Sequence, residues 1–134
     1  MTKATSHPII IRDERSLNAA VIEATRVAQT AGLSKISAQQ VATVTSELAR
    51  NFLKYAGHGR VELRVLERTG RSGVRVVATD RGPGIEDVEQ ALADHYSTGG
   101  TLGLGLSGAR RMMDELKITS DPGKGTRVEA TKWD

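Results

Sequence analysis

Glu47 and Asn51 stand four residues apart in a segment whose apolar residues recur at helical intervals. They therefore lie one turn apart on one side of a helix. A carboxylate and an amide so placed can hold Mg²⁺ and orient or deprotonate an attacking group; the same spacing also occurs on solvated helix faces. Asp80 opens the stretch Asp80-Arg81-Gly82-Pro83-Gly84 directly after an expected strand. Its carboxylate can accept a hydrogen bond from an exocyclic amine, as on adenine, although Asp is also an ordinary turn residue. Gly103-Leu104-Gly105-Leu106-Ser107-Gly108 is glycine-rich at the mouth of an expected helix. Such a mouth lets backbone N–H groups reach a phosphate chain, and a loop that needs glycine for its turns has the same composition. The spacing matches the dinucleotide fingerprint, which requires a strand before it and a further βα half after it. Here a small, polar, glycine-rich loop, residues 97–102, precedes it and only residues 109–134 follow. Taken together, the three stretches read as a nucleotide site.

The elements that must position these residues follow from periodicity. Ile9-Ile10-Ile11 after Pro8 predicts a first strand at a sheet edge. Asp13 is a candidate cap for a helix over 14–31 with Leu17, Val21, Ala24 and Ala28 on one face and Gly32 as its stop. Ser34 or Ser37 starts the helix that carries Glu47 and Asn51; its buried side is expected to hold Ile36, Val41, Val44, Leu48, Phe52 and Tyr55, and Gly57-His58-Gly59 ends it. Val61, Leu63 and Val65 alternate with polar neighbours as a strand, and residues 69–73 turn it into a second strand over 74–79 that delivers Asp80. A short helix over 86–95, a mobile loop over 97–102 and a helix over 104–116 come next. The last helix has Leu104, Leu106, Ala109, Met112, Met113 and Leu116 as its apolar positions. Strands over 117–120 and 126–132, joined by a turn over 121–125, close the chain. The expected fold class is α/β: a two-layer sandwich with a mixed, mostly antiparallel sheet and helices on one face.

Composition narrows the function classes. Residues 1–134 are expected to form a single domain with room for a core, and aromatics at 3% leave that core aliphatic. Net charge is +3, from 19 basic and 16 acidic residues spread along the chain. A nucleic-acid binder concentrates its charge and adds stacking surfaces, so no nucleic-acid partner is expected. The absence of cysteine excludes disulfides, thiolate zinc and a cysteine nucleophile. No apolar run reaches spanning length and no signal-peptide core opens the chain, so a cytoplasmic protein without membrane contact is expected. His7, His58 and His95 lack ligand spacing, Ser97 and Ser107 lack a His/Asp constellation, and no P-loop or ordinary protein-kinase signature is present.

In order, Glu47-x-x-x-Asn51, Asp80-x-Gly82-x-Gly84, Gly103-x-Gly105 and Gly125-Thr126 resemble the boxes of the GHKL ATPases, whose fold is the Bergerat or histidine-kinase-like ATPase sandwich. Ser46-Glu47-Leu48-Ala49-Arg50-Asn51 and the ending Ala130-Thr131-Lys132-Trp133 are similar to the RsbT-type serine/threonine-protein kinases of bacterial partner-switching (stressosome) systems. The resemblance runs from about Ile9 to Trp133. It implies a GHKL ATP-binding kinase domain with ATP and Mg²⁺ as cofactors. Glu47 would be the general base, Asn51 the Mg²⁺ ligand, and Asp80 with Thr126 the partners of the adenine amine. Gly82, Gly84 and Ile85 would shape the adenine end, and residues 86–102, with Thr98, Gly99 and Gly100, would form a lid. Gly103, Leu104 and Gly105 would bring backbone N–H groups to the phosphates. The implied substrate is a STAS-domain antagonist, and the protein once released would activate a PP2C-type phosphatase.

Two alternatives stay open: an anti-sigma kinase of the RsbW or SpoIIAB type, and a nucleotide-holding binding module without phosphotransfer. A histidine-kinase catalytic domain would need a dimerisation helix pair bearing a phosphoacceptor histidine, which the residues before Ile9 are not expected to supply.

Overall fold

In the computed structural model the described residues are 2–5, 8–80, 106–121 and 125–134. Capping chemistry starts both long helices. Asp13 accepts from the Ser16 backbone N–H at 2.8 Å while the Ser16 hydroxyl accepts from the Asp13 N–H at 3.1 Å. This reciprocal box opens α1 (Glu14–Thr30). Gly32 follows with φ 88°, a conformation glycine adopts without strain. Of the two candidate serines, Ser34 caps α2 (Lys35–Asn51) and takes the Ser37 N–H at 3.2 Å. Beyond Asn51 the helix widens into a π turn, Phe52–Ala56, stopped by Gly57 at φ 86°.

The sheet has six strands: β1 (Thr2–Thr5), β2 (Ile9–Ile11), β3 (Gly59–Arg68), β4 (Arg71–Asp80), β5 (Glu115–Asp121) and β6 (Gly125–Trp133). Their order is β1-β3-β4-β6-β5, with β2 also on β3. The flank of β3 away from β4 is thus shared: β2 pairs with Gly59–Val61 and β1 with the Arg64–Leu66 stretch. Every pairing among the described residues is antiparallel, and the expected α/β sandwich is present. The β3–β4 hairpin turns on Thr69 and Gly70 alone, with φ 48° and 78°. Two positive φ angles are the mark of the mirror-image turn whose twist suits paired strands.

The helices cover one face. Val61, Leu63, Val74, Val76, Ala78, Val128 and Ala130 of the sheet share one core with Leu17, Ala24, Val41, Val44, Leu48 and Phe52 of the helical layer. Alternation sends Leu66, Gly73 and Trp133 to the other face as a paired row. A Cβ on Gly73 would stand 2.7 Å from the Trp133 ring, so the indole lies flat on that glycine. The Trp133 N–H of the indole donates to Glu115 Oε2 at 2.8 Å, and the Arg68 guanidinium sits 5.0 Å from the ring centroid.

Four expectations need correction. The helix expected over 104–116 appears as α3 (Leu106–Met112), and Leu116, expected on its apolar face, lies in β5. Cross-strand pairing decides this: Asp114 N–H donates to the Thr131 carbonyl at 2.9 Å, and Glu115 and Leu116 then pair with Thr131 and Ala130. Ile36, expected on the buried side of α2, is 72% exposed, because Ser37 and Ala38 are the residues that turn inward there. Strand β1 was not expected from its polar sequence; the ladder with β3 supplies its order. The β3–β4 connection is two residues rather than five, since Arg71, Ser72 and Gly73 continue the ladder. The helix expected over 86–95, the loop over 97–102 and the side chain of Tyr55 lie outside the described residues.

Candidate active site

Three elements bring the candidate residues to the same end of the sandwich. On α2 the buried stripe is Val41, Val44, Thr45, Leu48 and Ala49. Glu47 and Asn51 flank it and are half-buried, the placement a side chain needs to serve a cleft without joining the core. The π turn follows directly on Asn51 and carries the chain to Gly57. Gly59 then enters β3 beneath the Phe52 ring, where a Cβ would overlap the aromatic carbons. Glycine at 59 thus lets the C-terminal end of α2 lie close on the sheet. Widening at a helix end is common beside functional residues, and here it sits immediately after the candidate Asn51.

Asp80 is the last residue of β4 and is half-buried. Its register partner is Thr126, and Thr126 in turn pairs with Ser120. Alternation places all three on the helix-covered face, since Ala78 and Val128, two residues back on their strands, are core residues. The Ser120 and Thr126 hydroxyl oxygens are 3.0 Å apart, and Ser120 Oγ donates to the Gly125 carbonyl at 3.3 Å. A row of polar groups, Asp80–Thr126–Ser120, therefore closes the end of the core. Ser120 was missed by sequence reasoning: a serine near a strand end carries no motif, and only the β5–β6 register reveals its neighbour.

Next to Asp80, at the sheet corner, lies an open depression of about 220 Å³ lined by Ile10, His58, Gly59, Arg60, Thr79 and Asp80. It includes neither Glu47, Asn51 nor Thr126, so it flanks the candidate residues rather than joining them. Helix α3 packs on α2, with Leu106 and Ala109 buried between the layers. This contact draws the chain that follows Gly103, Leu104 and Gly105 towards the helix bearing Glu47 and Asn51. Those three residues themselves, with Gly82, Gly84, Ile85, Thr98, Gly99 and Gly100, lie outside the described residues. Among the described residues no three His, Cys, Asp or Glu side chains gather as a metal cage, and no helix is long and apolar enough to cross a membrane.

A two-layer sandwich of this topology, with an acid–amide pair on the central helix and an Asp at the strand end, defines a class of nucleotide-binding domain. Residues 11–132 match the histidine kinase-like ATPase domain, and the chain belongs to that family, the ATPase and kinase class that its motifs resemble. Among its relatives, the serine/threonine-protein kinase RsbT of Bacillus subtilis (strain 168) is 40% identical over 107 residues, 80% of each chain. An anti-sigma F factor of Caldanaerobacter subterraneus subsp. tengcongensis is 33% identical, over 69% of this chain and 68% of its own. Among solved structures, the histidine kinase domain of the blue-light-activated histidine kinase from Erythrobacter litoralis EL346 superposes with a TM-score of 0.53 at 23% identity. That match covers 87% of this chain and 60% of the other, and it is a likeness of fold.

Proposed function

We propose that residues 1–134 act as one ATP-binding domain and that the protein is a serine/threonine-protein kinase of a partner-switching module. It transfers the γ-phosphoryl group of ATP to a serine or threonine of a STAS-domain antagonist, leaving ADP. Once released from that substrate it activates a PP2C-type phosphatase, in the cytoplasm and without nucleic acid. Glu47 is the general base: it takes the proton of the substrate hydroxyl as that oxygen bonds to phosphorus. The Asn51 amide oxygen fits Mg²⁺, an ion that takes one or two protein oxygens and completes its shell with phosphates and water; when bound, the ion neutralises charge on the phosphates. Asp80 and Thr126 hold the adenine amine, with Gly82, Gly84 and Ile85 shaping that end. Thr98, Gly99 and Gly100 belong to the lid, and Gly103, Leu104 and Gly105 present backbone N–H groups to the phosphates.

The observation that carries this reading is the 40% identity to a protein named as a serine/threonine kinase over 80% of both chains. The half-buried Glu47–Asn51 pair and the Asp80–Thr126 register support it. The deciding experiment incubates the protein with Mg²⁺, γ-labelled ATP and a STAS-domain protein. Label is expected on the partner's serine or threonine and is expected to disappear with Glu47→Ala and with Asn51→Ala. Full labelling by Glu47→Ala would remove Glu47 as the base.

A second reading is favoured by the match to an anti-sigma F factor: a kinase that also sequesters a sigma factor. Retention of a sigma factor on the immobilised protein would favour it over the first. ATP binding without any labelled partner would favour the pure binding module.

A further inference from the structure

Alternation along β3 and β4 puts Arg64, Leu66 and Arg68 on the sheet face away from the helices, where their register partners are Arg75, Gly73 and Arg71. Two pairs of like charges, Arg64–Arg75 and Arg68–Arg71, therefore stand directly across from each other, one on either side of the Leu66–Gly73–Trp133 row. Like charges in that position weaken a hairpin. The carboxylates of this face are already engaged. Glu62 pairs with Arg64, Glu129 lies 3.7 Å from Arg127, and Glu115 takes the Trp133 indole N–H at 2.8 Å. Arg75 turns its Nε to Thr131 Oγ1 at 2.9 Å. Arg68 and Arg71 are exposed, with guanidinium carbons 5.0 and 5.8 Å from the Trp133 ring centroid. Among the described residues neither has a carboxylate partner.

We propose that this hairpin end docks an acidic segment of a partner protein, whose carboxylates bridge Arg68 and Arg71. Guanidinium forks take carboxylates in pairs of hydrogen bonds, and a shared carboxylate turns the repulsion between the two arginines into attraction to one ligand. Stacking on the indole orders both side chains beforehand, which lowers the entropy lost on binding. Tryptophan and arginine together are the composition of interface hot spots. A second copy of this chain would set the same charges against themselves. Nucleic acid binds best where a ring is open for base stacking, and Trp133 is only 8% exposed, between Gly73 and the guanidinium groups. The surface lies at the end of β4 opposite Asp80, so the inference stands apart from the nucleotide site.

The test titrates the intact chain with an oligo-glutamate peptide at low ionic strength and follows the emission of Trp133, the single tryptophan. A saturable change is expected, because a bound carboxylate moves the guanidinium groups over the ring; oligo-glutamine of the same length is expected to give none. Arg68→Glu makes an opposite-charge pair with Arg71. It is expected to raise the denaturation midpoint and to weaken the peptide by about 10-fold or more. Arg71→Gln, which only removes a charge, is expected to weaken it roughly 3-fold. Arg15→Glu makes the same change of net charge on an exposed position of α1 and is expected to alter affinity by no more than about 2-fold. The proposal is overturned if the peptide fails to bind, if it binds without moving the Trp133 emission, or if Arg15→Glu weakens it as much as Arg68→Glu does. It is also overturned if an oligonucleotide of equal charge binds more tightly through the same arginines. A dimer in sedimentation that Arg68→Glu abolishes would make a second copy the occupant and overturn it as well.

Discussion

Glu47 and Asn51 gain their meaning from being half-buried beside a stripe that is fully buried. A carboxylate on the exposed face of α2 would be solvated and idle; one in the stripe would have to be neutralised. At the flank it can face a cleft without the cost of full burial. Glu47→Ala is expected to lower phosphotransfer by about 10²- to 10⁴-fold, the usual worth of a general base, while ATP still binds. Rapid-quench phosphotransfer alongside equilibrium nucleotide binding checks both halves. Asp80→Asn keeps the shape and removes the charge that an amine donor prefers. A hydrogen bond to a charged group contributes about 1.5–3 kcal/mol, so ADP affinity is expected to fall roughly 10- to 100-fold. Calorimetric titration with ADP reads this directly, and an unchanged affinity would remove Asp80 from the base site.

At the scale of elements, two glycine-dependent joints set the geometry. Gly59 lies under Phe52 where a side chain would overlap the ring. Gly59→Ala is expected to destabilise the fold by about 1–3 kcal/mol, the range for overpacking a filled core. It is also expected to displace Asn51, which immediately precedes the π turn holding Phe52. Chemical denaturation measures the first effect. Weakened nucleotide binding at concentrations where the variant is still folded measures the second. The hairpin joint behaves in the opposite sense. Thr69 holds φ 48° in the turn with Gly70, a conformation that a β-branched residue resists and asparagine tolerates. Thr69→Asn is expected to raise stability by about 0.5–1 kcal/mol, read as a higher denaturation midpoint with an unchanged slope.

At the scale of the molecule, the last residue ties the sheet to the helical layer. Ser34 N–H donates to Asp134 Oδ2 at 2.9 Å, so the end of β6 is joined to the start of α2. The Ser37 hydroxyl first, then Ser34, hold the Asp134 carboxyl below its ordinary value of 3.8. A folded-state pKa below the unfolded one contributes stability that is complete above the unfolded value and is lost as pH falls through the folded value. The stability difference between the unaltered protein and Asp134→Asn is therefore expected to be larger at neutral pH than below the ordinary carboxylate range. Trp133 is the chain's single tryptophan and is buried against Gly73 beside that residue. Its emission in denaturant titrations at the two pH values gives the comparison, and equal differences at both would refute the tie.

Local chemistry and periodicity specify a good part of this chain. Alternation in Val61, Leu63 and Val65 placed β3, Asp13 and one of Ser34 and Ser37 started helices, Gly32 and Gly57 ended them, and the ordered boxes led to the ATPase family. Each of these depends on neighbours within a few residues. Tertiary structure alone decided where a segment's partner lies far along the chain. Leu116 has helical spacing with Met112 and Met113, yet it is a strand residue because Ala130 pairs with it. Ile36 matches the apolar rhythm of α2, yet Ser37 and Ala38 are the residues of that turn that face inward, and the Ile36 side chain faces water. Ser120 reads as an unremarkable strand-end residue until the β5–β6 register sets its hydroxyl 3.0 Å from that of Thr126. Pairing and packing are non-local, and their free energy outweighs the few tenths of a kcal/mol by which propensity separates one local conformation from another.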